Sequence, residues 1–460
     1  MADVIFISVI FCVISVCDGI FALVEKIIKD VDNVMLKNAE LYAFDIVPVE
    51  ANFQNKSPVL HLENCLGLES WCVKHVYMYC YSELMDNFFS KPKRKALKPS
   101  SVNAERLTRL LNLTLLINPE LSTLWNKRRE LVLKLFLHKS HELHFTKLVL
   151  SRKPKCNDVF AYRRWLIEEI LKDDSIQSNH AAELVNEELH ICELASDKSP
   201  NNYHSWNHRM WIVKQMKTCT QFDINFLYIK EYDYSERWTA KHISDYSCFH
   251  YRQFCIQNIF TINVEKWGSF EIMFNDGFKK SFVRTLASNF PNDATVQASE
   301  NDLLSYSEDN LVNLLLGYTN KSCRCVSDTV ALCRKFEVLF HELISNNDLL
   351  RFYKYHETMW YHRRYVVHEL MKVMYDYFGV TKHNGALVKS TCEKCNIDDL
   401  RQRNAKIIKY DSNRIYSCVL FNVLMNIEKK FIHERRTDND NYADRHEKYL
   451  RFVEGLNNVM

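Results

Sequence analysis

The chain has 460 residues but only 8 glycines and 8 prolines, against an average combined usage of roughly 12%. Sandwiches, barrels and doubly wound sheets draw on these residues for tight turns. No glycine lies between Gly67 and Gly268, which excludes a glycine-rich nucleotide loop there. Sixty basic against 57 acidic residues leave a net charge of +3, too even for a surface that coats nucleic acid, and the composition as a whole points to an all-helical protein.

Residues 4–16 (VIFISVIFCVISV) are apolar but too short to span a bilayer, which takes about 20 residues, and Asp3 is the first charge, so no basic region precedes them as in a signal peptide. Residues 1–19 therefore read as an N-terminal extension, with no stable membrane span, and Ile20 to Met35 as an amphipathic helix. The basic run Lys91, Lys93, Arg94, Lys95 and Lys98 has Pro92 and Pro99 within or beside it and reads as a solvated loop.

From residue 125 onward one motif recurs: an aromatic, then Lys, Tyr or His two positions on, Arg three on, and usually another aromatic five on. Its copies are Trp125/Lys127/Arg128, Phe160/Tyr162/Arg163/Trp165, Trp206/His208/Arg209/Trp211, Phe249/Tyr251/Arg252/Phe254 and Trp360/His362/Arg363/Tyr365. Pro119, Pro154 and Pro200 stand six residues ahead of the first three, where proline can end one helix and start the turn into the next. The first four copies follow at intervals of 35, 46 and 43 residues, near the periods of helix-pair repeats. Between them run partner helices, with stripes such as Leu107, Leu110, Leu111 and Leu115, or Val185, Leu189, Cys192 and Ala195.

At 100° per residue, positions 0 and +3 share one side of the motif helix while +2 and +5 share the other, so it touches neighbours on both sides. The aromatics read as inter-repeat core. The +3 arginines, and His208 and His362 with them, read as structural; a buried guanidinium needs a carboxylate or carbonyl partner. Residues 262–330 and 378–400 read as insertions, leaving residues 20–460 as a single helical-repeat domain. Cys392 and Cys395 form the one C-x-x-C; without a second pair at finger spacing it reads as loop. Sixteen cysteines without framework spacing suit a reducing compartment, hence the cytoplasm.

The segment Asn202-Tyr203-His204-Ser205-Trp206-Asn207-His208-Arg209-Met210-Trp211 resembles the repeat of the protein prenyltransferase α-subunit family. Glu63 to Cys72, His242 to Phe254 and His356 to Arg364 are similar to an orphan branch of that family, and Asn441-Tyr442-Ala443-Asp444-Arg445 is a degenerate echo of the motif. The resemblance implies an all-α fold: a right-handed α-α superhelix, a solenoid of helical hairpins that wraps a β subunit as a crescent. It implies that the partner β subunit, of the Rab geranylgeranyltransferase type, holds the zinc, that this chain binds no cofactor itself, and that the co-substrate is geranylgeranyl diphosphate. The acceptor would be a protein with a cysteine near its C-terminus, and nucleic acid is not an expected partner.

Carried over from the family motif, the donors to the isoprenoid diphosphate fall on Lys155, Tyr203 and His204. The family often has Asn-Tyr after the lysine where this chain reads Cys156-Asn157, so one aromatic contact is missing from the pattern. The chemistry asks for such groups, because negative charge grows on pyrophosphate as it leaves and fixed donors stabilise it. On the residues alone, Lys155 reads as an exposed helix-start lysine, and Tyr203 and His204 could cap their helix; it is the resemblance that points to the donor role. The rival expectation is a non-catalytic helical scaffold, since solenoid surfaces bind proteins by default.

Overall fold

The structure is a computed structural model that describes residues 2–50, 57–89, 101–172, 178–217, 223–262, 283–285, 288–289, 326–378, 380–383, 386–389, 419–437 and 440–459. The basic run 91–98, Cys392 and Cys395 and almost all of the 262–330 segment lie outside these residues. The described residues group into two compact units, 1–222 and 223–460, and the fold is all-α, built of helical hairpin repeats as the sequence predicts.

In the first unit, α1 (Ala2–Lys37) runs unbroken through the expected boundary at residue 19 and buries Val24, Ile27, Ile28 and Val31. That i, i+3, i+4, i+7 spacing turns one stripe inward, against α2 (Val73–Leu84) and α3 (Ser101–Ile117). Three hairpins follow: α3 with α4 (Ser122–Leu133), α5 (Lys139–Arg152) with α6 (Asn157–Leu171), and α7 (Ser178–Lys198) with α8 (Tyr203–Met216). Helices α4, α6 and α8 carry the motif and lie side by side.

A small mixed sheet, not foreseen for residues 20–460, sits between α1 and α5. Strand β1 (Ala43–Val47) pairs parallel with β3 (Cys65–Glu69), and β2 (Val59–Leu62) pairs antiparallel with β3. Turn composition hid it, because the β2–β3 turn uses Glu63 at φ 51° in place of the usual glycine. The one glycine in the sheet, Gly67, has a packing reason: a Cβ there would sit 3.3 Å from both Leu60 and Val47.

The second unit holds α9 (Ile224–Lys241) with α10 (Tyr246–Ile259), α11 (Val326–Phe352) with α12 (Glu357–Phe378), and α13 (Val419–Thr437) with α14 (Asn441–Val459). A two-stranded hairpin, β4 (Val380–His383) and β5 (Ala386–Lys389), lies within the expected 378–400 insertion.

The hairpins share one buried design. The +3 arginine of a motif reaches a glutamate on the next partner helix: Arg128 to Glu142 at 2.6 and 2.7 Å, Arg252 to Glu342 at 2.5 and 2.8 Å, Arg363 to Glu428 at 2.7 and 2.9 Å, and Arg163 to Glu188. The same carboxylate then binds the +2 residue of the following motif. Tyr162 donates to Glu142 at 2.6 Å, His208 meets Glu188 at 2.9 Å and His362 meets Glu342 at 2.9 Å; within the second unit Tyr251 makes a like bond to Glu231 at 2.6 Å. Within each unit +2 rings also pack on the preceding motif's aromatic: Trp125 with Tyr162 at 4.9 Å, Phe160 with His208 at 5.2 Å and Phe249 with His362 at 5.2 Å between centroids.

The echo in α14 keeps the +2 half of this design. In α14 the +2 role belongs to His446, 2.6 Å from Glu428 and stacked with Tyr449, and Asp440 accepts the Trp360 indole N–H at 3.0 Å. The degenerate echo at 441–445 is therefore set in register by Asp440, His446 and Tyr449. Its +3 position is Glu447, which pairs with Arg436 near the surface. An acid thus stands where the other copies carry the paired arginine.

Candidate functional site

The three sequence-predicted donors sit at turns of neighbouring hairpins in the first unit. Lys155 lies in the α5–α6 turn, exposed. Tyr203 opens α8 with 60% of its surface exposed, and half-buried His204 follows, the two rings edge-on with centroids 5.7 Å apart.

Asn202, fully buried, joins the two turns. Its Oδ1 accepts from the Ser205 N–H at 3.2 Å, capping α8, and its Nδ2 donates to the Pro154 carbonyl at 2.7 Å and the Ala195 carbonyl at 3.1 Å. The residue next to Lys155 is thus bonded to the residue next to Tyr203. Because Asn202 supplies the cap, Tyr203 and His204 are not needed for it. The side chains of Lys155, Tyr203 and His204 make no hydrogen bond or ion pair with one another or with any other described residue.

The departure at Cys156-Asn157 has a structural counterpart. Cys156 occupies the N-cap of α6 without a side-chain cap bond, and its buried thiol packs 3.6 Å from the Pro119 carbonyl. Asn157 then stands where Tyr203 stands in α8, so the α6 turn offers a short amide in place of a phenol. Asn202→Ala should cost about 1–2 kcal/mol, read by urea unfolding; Asn202→Asp keeps the cap acceptor yet sets a carboxylate against two carbonyls, and should recover little.

Below the rim lies the Arg163, Glu188 and His208 cluster. Burial pushes the Glu188 carboxyl up, but Arg163 and the His208 bond outweigh it and hold it at about 2. Burial lowers His208 below the ordinary imidazole range despite its bond to Glu188, and His446 is lowered for the same reason. A folded-state value below the unfolded one gives stability that is present above the unfolded value and lost as the pH falls. Thermal unfolding should therefore show Tm falling as the pH drops through about 6.5, where unfolded histidines take up protons, and falling again below about 4.5 as carboxylates such as Glu188 protonate on unfolding. His208→Gln should make the first fall shallower; an unchanged slope would remove His208 from the account.

The glutamates of this network escaped the sequence reading, although a signal existed. Glu188 lies on the stripe of Val185, Leu189 and Cys192, where an apolar residue is expected. An acid on an inward stripe predicts a buried partner. Among the described residues, no group of three or more His, Cys, Asp or Glu is placed to hold a metal ion, and no helix is long and apolar enough to cross a membrane.

The sequence pattern of the protein prenyltransferase alpha subunit repeat matches residues 140–170, 185–216 and 228–259, which are the hairpins α5–α6, α7–α8 and α9–α10. The chain is 26% identical over 361 residues to protein prenyltransferase alpha subunit repeat-containing protein 1 of Homo sapiens, covering 76% of this chain and 78% of that one. It is 28% identical over 364 residues to protein prenyltransferase alpha subunit repeat-containing protein 1-A of Xenopus laevis, covering 76% and 73%. Geranylgeranyl transferase type-2 subunit alpha of Candida albicans is 25% identical over 197 residues, 40% of this chain and 50% of that one.

Proposed function

We propose that this chain, whose hairpins match the protein prenyltransferase alpha subunit repeat, is the α subunit of a heterodimeric protein geranylgeranyltransferase, active in the cytoplasm with a type-2 β subunit. The observation that carries the reading is the Asn202 tie. It holds the Lys155 turn against the start of α8 while leaving an ammonium, a phenol and an imidazole without described polar partners.

In the reaction, an acceptor cysteine sulfur bonds to C1 of geranylgeranyl diphosphate while the C1–O bond breaks and pyrophosphate leaves with the electron pair. Lys155, Tyr203 and His204 donate to the phosphate oxygens and stabilise the charge that accumulates there. A zinc ion on the β subunit would supply the thiolate at neutral pH, so this chain alone should be inactive. The relatedness to type-2 α subunits supports the choice of partner.

The test is co-purification with a type-2 β subunit, followed by transfer of labelled geranylgeranyl from its diphosphate to a protein with a C-terminal cysteine. Transfer by the pair and not by either chain alone is the expected result. Stable pairing without transfer would instead make the chain a scaffold.

A further inference from the structure

Three motif copies carry a second arginine one position after the paired one: Arg129, Arg164 and Arg364. Their surroundings differ from those of the +3 arginines. None forms an ion pair among the described residues. All three are half-buried. Arg129 donates from Nη1 to the Asn126 side chain at 2.7 Å, while its buried Nε has no described partner. Arg164 reaches only Nδ1 of His208, at a long 3.4 Å, and Glu168, whose charge acts on it, is not in ion-pair contact. In the second unit, Nε and Nη2 of Arg364 are buried and also lack described partners.

In the first unit two of these arginines form a series. The Arg129 guanidinium lies 5.6 Å from the Trp165 ring on α6, and the Arg164 guanidinium 5.7 Å from the Trp211 ring on α8. Arg129 and Arg164 occupy the same position in consecutive motifs on adjacent helices, so they stand about one helix spacing apart, roughly 10 Å. Both tryptophans are half-buried. Half-buried cations without counterions lose solvation and gain no ion pair in return, and arginine and tryptophan are both enriched among the residues that carry binding energy at protein interfaces.

We propose that Arg129 and Arg164, framed by Trp165 and Trp211, form a docking face for an acidic protein segment that presents carboxylates about 10 Å apart. The planar guanidinium fork matches a carboxylate through two parallel bonds, and the tryptophans supply the apolar frame that excludes water. Only the identity of the partner rests on the proposed pairing with a β subunit; the chemistry of the face does not.

The test compares the full chain with its Arg129→Gln/Arg164→Gln and Arg129→Lys/Arg164→Lys variants, each first checked for a Tm within about 2 °C of wild type. Two probes are titrated: a purified type-2 β subunit at low and high salt, and hexaglutamate against inorganic pyrophosphate at equal ionic strength. The glutamine variant should bind the β subunit at least about tenfold more weakly with a flatter salt dependence, and the lysine variant should recover only part of the loss. Unchanged β-subunit affinity in the glutamine variant overturns the proposal. If wild type does not bind the β subunit at all, the proposed function falls, and hexaglutamate decides the docking face alone. Saturable binding to wild type that the glutamine variant loses sustains it; no saturable binding, or a preference for pyrophosphate, overturns it.

Discussion

Glu342→Ala should lower stability by about 3–5 kcal/mol, with unfolding followed by urea and by heat. Burial pushes the Glu342 carboxyl up, but Arg252 and His362 outweigh it and hold it far below the usual carboxylate range. It takes two bonds from Arg252, one from the Tyr232 hydroxyl and one from His362, and all four residues are buried. Its removal leaves the buried Arg252 guanidinium with the longer contact to Glu236 at 3.5 Å in place of two short bonds, and a buried charge that loses its main partner costs more than the pair contributed. The pair should therefore be strongly non-additive. Arg252→Ala/Glu342→Ala should lose clearly less than the two single losses combined, with a coupling of about 1–3 kcal/mol. Additive losses would show that the two side chains do not act as a pair.

Lys155→Ala and His204→Ala should each slow single-turnover transfer by the assembled enzyme about 10- to 100-fold, while the affinity for the β subunit stays unchanged. One well-aimed donor to a departing anion is worth that much or more, and the partly exposed position of both residues argues for the lower end. Tyr203→Phe removes a hydroxyl and keeps the ring, so it isolates the phenol's share. Because Asn202 and not these residues caps α8, the substitutions should leave Tm nearly unchanged, and a rate loss can then be read as chemistry. Normal single-turnover rates in both alanine variants would withdraw the site.

The hairpins were legible because a helix repeats its faces with a fixed period. Trp206, Arg209 and His208 predict by their spacing a helix that touches neighbours on both sides, and in the structure Phe160 and Glu188 meet it at His208 while the Leu189 carbonyl meets it at Arg209. The sheet at Ala43–Glu69 was not legible, because its tight turn rests on Glu63 in a left-handed conformation and not on a glycine. The first unit's rim was half legible. The residue types at 155, 203 and 204 could be proposed from the motif, but nothing local says that Pro154 and Asn202, 48 residues apart, share a hydrogen bond.

What the sequence alone determined is the all-α class, the repeat and its register through five copies, since these follow from composition and period. Tertiary structure decided which charges are closed and which are open. Arg163 and Arg164 are neighbours in the chain with the same side chain, yet one is locked to Glu188 in the core and the other lies half-buried near Trp211 without a counterion among the described residues. Their 100° separation on the helix is local; the glutamate that meets only one of them comes from another helix, and its approach is set by packing.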